Sequence, residues 1–362
     1  MRGENLMITK IFKKMINNIK MKKRNNKILK FGLFPNIFNC LDETMNKESK
    51  IRFCNYLKKY KDIKKWSICS DYCLDDKNKN SNVYTFALFP VTKDISELKE
   101  EVVQNIKSEI KKSGNFIPES TLNYLNNNDF FIFNFIFPKD FLKNYFSKNF
   151  NKESKISSIE EQIKIIKNNW KNDYKDVIVN SLNNLIKKMK ERNFNLSLYK
   201  KILLNSFLAA YLCTFLQRQK NIETYSWLSD RDNMTTYGSG IINALYLWRK
   251  EEIKKIIKIK FSPIEEGITI LESKTKPFYD ELIRVPDYFC GTLASLIKFS
   301  KNKDKYIEFS KKYDQIIMNV LNSNKNIVTI LFEDSELYSE LYNKNIIEIN
   351  CHRIDFDSIY II

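Results

Sequence analysis

Short runs of hydrophobic residues alternate with longer amphipathic segments along the chain. The runs at 66–70, 83–91 and 130–137 are rich in aromatic and β-branched residues and are bounded by polar turns or proline, which predicts buried β-strands. The polar turn at 75–82 joins the first two runs, so we expect them to form an antiparallel hairpin. Further short strands are predicted at 224–229, 256–261, 268–271 and 327–332, and within 346–362.

Helices are predicted between these strands, because apolar residues recur there at helical spacing. Residues 156–192 and 196–219 predict two long amphipathic helices whose apolar faces belong to the core. Other helices are predicted at 47–61, 95–112, 235–250, 286–299 and 303–321. Strands and helices alternate, and the chain has only seven glycines and seven prolines. The pattern therefore predicts a mixed α/β fold and argues against an all-β or repeat architecture.

One α/β core is expected at 63–300, with a helical insertion at about 140–220. A basic arm and helical extension precede this core at 1–62, and a C-terminal helix and strand extension follows it at 301–362. The first 30 residues contain a single acid, Glu4, and no continuous apolar stretch. They therefore predict a flexible basic arm or an amphipathic helix, and neither a secretion signal nor a membrane span.

The charge of the chain points to a polyanionic partner. Its 61 lysines and arginines outnumber its 43 aspartates and glutamates, which gives a formal net charge of +18. Such a balance predicts binding to nucleic acid, to an acidic protein or to an anionic membrane surface. A solvated lysine-rich surface without a partner is the alternative.

The numbers and spacing of cysteines and histidines restrict the kinds of catalytic site that the chain can form. The seven cysteines form no CxxC pair and are predicted to be reduced thiols that act as small hydrophobic residues, which indicates a cytoplasmic protein. His352 is the only histidine in the sequence. Ser-His-Asp hydrolysis, Cys-His chemistry and histidine-ligated zinc are thereby excluded, and carboxylate chemistry remains.

Four aspartates stand where a sheet and a facing helix would bring them together. Asp71 closes the first predicted strand, Asp230 and Asp232 follow the strand at 224–229, and Asp287 opens the helix at 286–299. Carboxylates placed in this way hold divalent metals beside phosphate groups. Glu272, at the end of a short predicted strand, is a possible further metal ligand or else a surface acid.

Each of these residues also has a purely structural interpretation. Asp71 is a common type of turn residue, and either Asp230 or Asp232 would cap the helix that follows. Asp287 would complement the dipole of its helix. The stretch 238–240 (Gly-Ser-Gly) would either present backbone amides to a phosphate or serve as a flexible helix entry.

The residues around two of the aspartates resemble motifs of a known family. Residues 68–72 (Ile-Cys-Ser-Asp-Tyr), with 84–88, and 286–294 (Pro-Asp-Tyr-Phe-Cys-Gly-Thr-Leu-Ala) are similar to motifs of a bacterial family of uncharacterised RNase H-like proteins. In that family the first strand ends in Asp-Glu-Ser-Gly and the closing helix carries Ala-Asp-Leu-x-Ala-Gly. This chain departs from the pattern, because Tyr72-Cys73 replaces Glu-Ser and Pro286 replaces the alanine.

The resemblance covers roughly 66–299 and implies an RNase H-like mixed sheet and metal-dependent nuclease activity. The family's middle aspartate would fall on Asp230 or Asp232. Proteins of this kind are associated with mobile elements or phage defence, so the resemblance implies that context as well.

The leading hypothesis is therefore an Mg²⁺- or Mn²⁺-dependent nuclease that cleaves DNA or RNA. Lysines would hold the backbone, and Tyr237 and Tyr288 would be available to stack on bases. A non-catalytic nucleic-acid- or protein-binding module on the same fold is the alternative, favoured by the glutamate missing at position 72. A membrane-surface or toxin-like protein that acts through residues 1–30 is a third hypothesis.

Overall fold

The computed structural model of the protein describes residues 35–127, 129–147, 151–170, 174–238, 240–258, 261–268, 276–296, 311–335 and 348–355. The strands in these ranges are β1 (Lys65–Cys73), β2 (Asn82–Pro90), β3 (Phe131–Phe137), β4 (Thr224–Ser229), β5 (Glu265–Ile268), β6 (Ile327–Ser335) and β7 (Glu348–Ile354). They form one sheet in the order β5-β4-β1-β2-β3-β6-β7. Antiparallel pairing joins β1 to β2, β2 to β3 and β6 to β7, and the other neighbours pair in parallel. The sheet is therefore mixed, with β2 and β7 opposed to the other strands.

Helices connect and cover these strands. They are α1 (Pro35–Thr44), α2 (Lys50–Lys59), α3 (Ile95–Asn105), α4 (Glu119–Asn127), α5 (Phe141–Ser147), α6 (Lys152–Asn169), α7 (Lys175–Lys190), α8 (Leu196–Gln219), α9 (Ile241–Ile257), α10 (Arg284–Leu296) and α11 (Lys311–Ile316). A π-helical turn at Met45–Ser49 links α1 to α2, and another at Ile317–Leu321 follows α11. Single 3₁₀ turns lie at Ile110–Lys112 and Asp280–Ile283. The predicted class, a mixed sheet flanked by helices, is confirmed.

The two faces of the sheet have separate hydrophobic cores. Trp66 and Ile68 of β1 belong to the core that contains α1, α2 and α5 to α9. Cys69 belongs to the core on the opposite face, which contains α3, α4, α10 and α11. Since successive side chains of a strand point to opposite faces, Asp71 lies on the same face as Cys69. This alternation decides which helices can reach Asp71.

A buried polar row crosses the centre of the face that Asp71 occupies. Thr85 of β2 pairs in register with Asp71 on one side and with Asn134 of β3 on the other. Its hydroxyl donates to Asn134 Oδ1 at 2.9 Å, and Asn134 Nδ2 donates to Thr329 Oγ1 of β6 at 3.1 Å. All three partners are almost completely buried. The predicted hairpin of β1 and β2 is confirmed, and this row connects it to β3 and β6.

Several predicted boundaries are wrong for identifiable reasons. The strand predicted at 256–261 starts inside a helix, because Ile256 and Ile257 extend the apolar face of α9. That helix starts at 241 and not at 235, directly after Gly240, whose φ of 96° only glycine adopts readily. The helix predicted at 156–192 is divided, since α6 ends at Asn169 and α7 begins at Lys175. The adjacent strand β5 begins three residues before its predicted position at 268.

The predicted extensions differ in how much of them is described. The basic arm at 1–34 lies outside the described residues, whereas 35–62 contributes α1 and α2 to the first core. The C-terminal extension adds β6 and β7 to the same sheet as the core strands. Every helix in the described ranges is too short or too polar to cross a lipid bilayer.

Candidate carboxylate site

The candidate site begins at the end of β1. Asp71 is the seventh of nine residues in this strand and pairs in register with Thr85. The strand forms here because Trp66 to Ser70 are buried between two helical layers, and it continues past them through half-buried residues. Asp71 therefore sits where the buried central strand reaches the edge of the core, on the face covered by α10.

The end of the neighbouring parallel strand brings Asp230 beside it. Ser229, the last residue of β4, pairs with Ser70, and the Asp230 N–H donates to the Ser70 carbonyl oxygen at 2.9 Å. Parallel neighbours end at the same edge of a sheet, so Asp230 and Asp71 occupy the same edge. Tyr279 also contacts this edge of the sheet, since its hydroxyl donates to the Ser229 carbonyl oxygen at 3.1 Å.

The third aspartate is supplied by α10, which packs across β1 and β2. Asp287 lies in the first turn of that helix, and its Oδ2 accepts a hydrogen bond from the Ile110 N–H at 2.6 Å. Gly291, one turn later, makes this contact possible: a Cβ at position 291 would come within 2.7 Å of Ile110 Cγ2. The close neighbour of Gly291 is therefore the 3₁₀ turn at Ile110–Lys112.

The three carboxylates influence one another electrostatically. Burial raises the pKa of Asp71 well above its ordinary value, and the negative charges of Asp287 and Asp230 raise it further. Burial likewise raises the pKa of Asp287 to about 6, and it also raises the pKa of Asp230. Crowded, partly buried carboxylates favour protonation unless a cation lies among them. The surrounding protein therefore does not fully compensate the charge of these carboxylates when they are ionised.

Asp232 has a different environment. Its Oδ1 accepts hydrogen bonds from the N–H groups of Met234 at 2.9 Å and Thr235 at 2.8 Å. This is the capping pattern of an aspartate at the start of a turn. Its charge raises the pKa of Asp71 less than the charges of Asp287 and Asp230 do. Of the two acids after β4, Asp230 is the one beside β1, and Asp232 shapes the turn that follows.

Other predicted residues fall in different places. Glu272 lies outside the described residues. Tyr288 is only 2% exposed and packs in the core, so it is not available to stack on a base. Tyr237 is half-buried, and the ammonium group of Lys188 lies 5.1 Å from the centre of its ring.

Two residues that the sequence did not single out lie beside Asp287. The charge of Glu109 raises the pKa of Asp287, and that of Lys111 lowers it. Lys111 Nζ lies 3.0 Å from Glu109 Oε2, and the lysine side chain is 75% exposed. No motif marks this turn, because contacts between residues far apart in the sequence bring it to the site, among them the hydrogen bond from Ile110 to Asp287.

The donors at the site suit a hard divalent cation in chemistry and in charge. Carboxylate oxygens are the preferred protein ligands of Mg²⁺ and Mn²⁺. No group of three His, Cys, Asp or Glu side chains within the described ranges is already gathered in metal-binding geometry. Asp71, Asp230 and Asp287 are the residues whose oxygens would hold such an ion.

Two hollows of the described surface lie elsewhere. One is lined by residues 217–222 at the end of α8 together with Phe261 and Ser262. Another lies along α2 and the turn before it, between Asn46 and Lys58. Neither hollow is lined by an aspartate of the carboxylate site.

Comparison with known proteins adds no relative. No protein-family model matches the chain, and neither a curated protein nor a solved structure resembles it significantly. The function must therefore be argued from the placement and chemistry of the chain's own residues.

Proposed function

We propose that this protein is a nuclease that depends on Mg²⁺ or Mn²⁺ and acts on DNA or RNA. The observation that carries the proposal is that Asp71, Asp230 and Asp287 come from three separate elements on the same side of the sheet and that the charges of Asp287 and Asp230 act on Asp71. The strand order β3-β2-β1-β4-β5, in which only β2 is reversed, is that of an RNase H-like sheet and supports the same assignment. The net charge of +18 supports a polyanionic substrate.

In this proposal the acidic and the basic residues of the site have different roles. The carboxylates of Asp71, Asp230 and Asp287 hold the cation, and the N–H of Ile110 fixes the direction of Asp287. A divalent ion bound there activates water and neutralises charge on the phosphate. Lys111 stands at the rim of the same site and offers a positive charge to the phosphodiester backbone.

The test is cleavage of single- and double-stranded DNA and RNA with Mg²⁺, with Mn²⁺ and with EDTA. Asp71→Asn and Asp287→Asn are each expected to lower the cleavage rate at least a hundredfold, with circular dichroism unchanged. Asp176→Asn is the matched control, because Asp176 is an exposed acid in the first turn of α7, on the opposite face of the sheet. Wild-type rates in both site variants, or cleavage that persists in EDTA, would disprove the mechanism.

A second function is favoured by one specific observation. Tyr72 occupies the position at which the resembling family carries glutamate, and its hydroxyl bonds to Ser229 Oγ at 2.7 Å on the sheet face opposite to Asp71. That position therefore supplies no carboxylate to the site. A module that binds nucleic acid without cleaving it would show affinity that survives EDTA and falls with salt, by roughly 0.9 log units per phosphate contact per decade of salt on duplex DNA.

A further inference from the structure

The edge strand β7 is held against the first two helices by a regular set of contacts. The helical residues that make them recur at every fourth position: Cys40, Thr44, Glu48 and Arg52. Their partners are alternate residues of the strand and of the position that follows it: Cys351, Arg353 and Asp355. Arg353 donates to Glu48 at 2.6 Å, and Arg52 donates to Asp355 at 3.0 Å. These ion pairs fix the register in which Cys351 faces Cys40.

The two cysteines at the start of this row are in contact. Cys40 Sγ lies 4.0 Å from the Cys351 carbonyl oxygen, and each thiol perturbs the pKa of the other. Thr44 donates to the same carbonyl at 3.0 Å, and its Oγ1 lies 3.3 Å from Cys351 Sγ. Both cysteines are half-buried, so a small reagent can reach them, in contrast to the fully buried Cys69, Cys213 and Cys290.

The neighbours of Cys351 also favour its thiolate form. Hydrogen bonds from Cys40 and Thr44 hold the pKa of the Cys351 thiol below its ordinary value, and burial opposes them. The same pairing, together with burial, raises the pKa of Cys40. A lower thiol pKa increases the fraction of thiolate, which is the nucleophile in disulfide exchange. Cys351 is therefore the attacking residue, and Cys40 is placed to resolve the product.

We propose that Cys40 and Cys351 are a site of thiol–disulfide exchange, which a small disulfide such as oxidised glutathione converts into an intramolecular disulfide. The Cys351 thiolate attacks one sulfur of oxidised glutathione, forms a mixed disulfide and releases one glutathione thiolate. The released thiolate takes the Cys40 proton, and the Cys40 sulfur then attacks Cys351 Sγ and expels the second glutathione. Two protein thiols are oxidised, and one glutathione disulfide is reduced to two thiols.

The bond would join residues 311 positions apart in the sequence. It would tie β7, which lies at the edge of the sheet, to the helix that begins the described chain. Cross-links across long separations restrict the unfolded chain most, and an edge strand is a vulnerable element of a sheet. Oxidation is therefore expected to protect the C-terminal strands from opening, independently of the proposed nuclease function.

The experiment uses the full-length protein in glutathione redox buffers, followed by alkylation, intact-mass measurement and peptide mapping. We expect the wild type to lose two of its seven reactive thiols, to yield a linked peptide with Cys40 and Cys351, and to recover both thiols on reduction. Its melting temperature should rise by several degrees on oxidation. Cys54→Ser is the matched control, because Cys54 is half-buried on α2 and bonds to Gln219 at 3.6 Å.

The Cys40→Ser variant separates exchange from simple proximity. It keeps Cys351 and Thr44, so it should stop at a glutathione adduct on Cys351 with no linked peptide. Cys40→Ala serves the same purpose if the serine variant fails to fold. Seven thiols that stay free in oxidised glutathione, a linked peptide between other cysteines, or stable adducts on both Cys40 and Cys351 in the wild type would each overturn the proposal.

Discussion

The crowding of carboxylates predicts that Asp287→Asn stabilises the protein at neutral pH when EDTA removes divalent cations. The pKa of Asp287 is raised from 3.8 to about 6, chiefly by burial. Each pH unit between these two values is worth about 1.4 kcal/mol, so the cost of charging this group is about 3 kcal/mol. The asparagine still accepts from the Ile110 N–H, and the raised pKa already includes the charge assistance of that bond. The expected gain is therefore about 3 kcal/mol.

The raised pKa of Asp287 determines whether stability rises or falls with pH. Between pH 4 and 6 the folded Asp287 holds a proton that the unfolded chain has released, so the stability of the wild type falls as pH rises through that window. The Asp287→Asn variant has no ionisable group at this position, so its stability does not change in this way. Its stability advantage over the wild type should be near zero at pH 4 and reach its full size above pH 6.5. Added Mg²⁺ should make the wild type more stable than the variant, because the cation binds the wild-type carboxylate and stabilises the folded state.

Urea unfolding of both proteins at pH 4, 5.5 and 7.5, with EDTA or with Mg²⁺, measures these differences directly. Asp176→Asn controls for the loss of an acid from a first helical turn, and its effect should not change over the same pH range. A free-energy difference between wild type and Asp287→Asn that is the same at all three pH values would refute the electrostatic argument. A destabilised variant at pH 7.5 in EDTA would refute it as well.

Two further predictions concern the rim of the site and the buried row behind it. Lys111→Ala should weaken nucleic-acid binding and reduce the slope of log affinity against log salt by about 1. Lys112→Ala is the control, because it removes the other lysine that pairs with Glu109. It should change that slope less, since Lys111 is the lysine proposed to face the phosphates. Asn134→Ala should lower the free energy of unfolding by about 2–3 kcal/mol, because it leaves two buried threonine hydroxyls without their amide partner. A loss below about 0.5 kcal/mol in chemical denaturation would show that the buried polar row does not stabilise the fold.

Hydrophobic periodicity was enough to predict most strands, because each buried strand is a short run of β-forming residues with polar ends. β2 and β3 are buried along their whole length, as their composition predicts. The same signal failed at 256–261, where Ile256 and Ile257 belong to a helix. Two adjacent apolar residues fit either element, and packing against the core decides between them.

The sequence by itself determined the types of element and the positions of the acids along them, and it predicted a carboxylate site. Asp71, Asp230 and Asp287 were recognisable from their positions at strand and helix ends, and the single histidine restricted the chemistry to carboxylates. These inferences depend on local order along the chain, where propensity and spacing act.

Only the tertiary structure decided which groups meet. The turn that carries Glu109 and Lys111 is placed by contacts over long separations, such as the hydrogen bond from Ile110 to Asp287, between residues 177 positions apart. Asp230 and Asp232 are two residues apart, yet strand pairing sets one beside β1 while the turn uses the other as a cap. Contacts over such separations arise from the packing of whole elements, which the local pattern of residues does not encode.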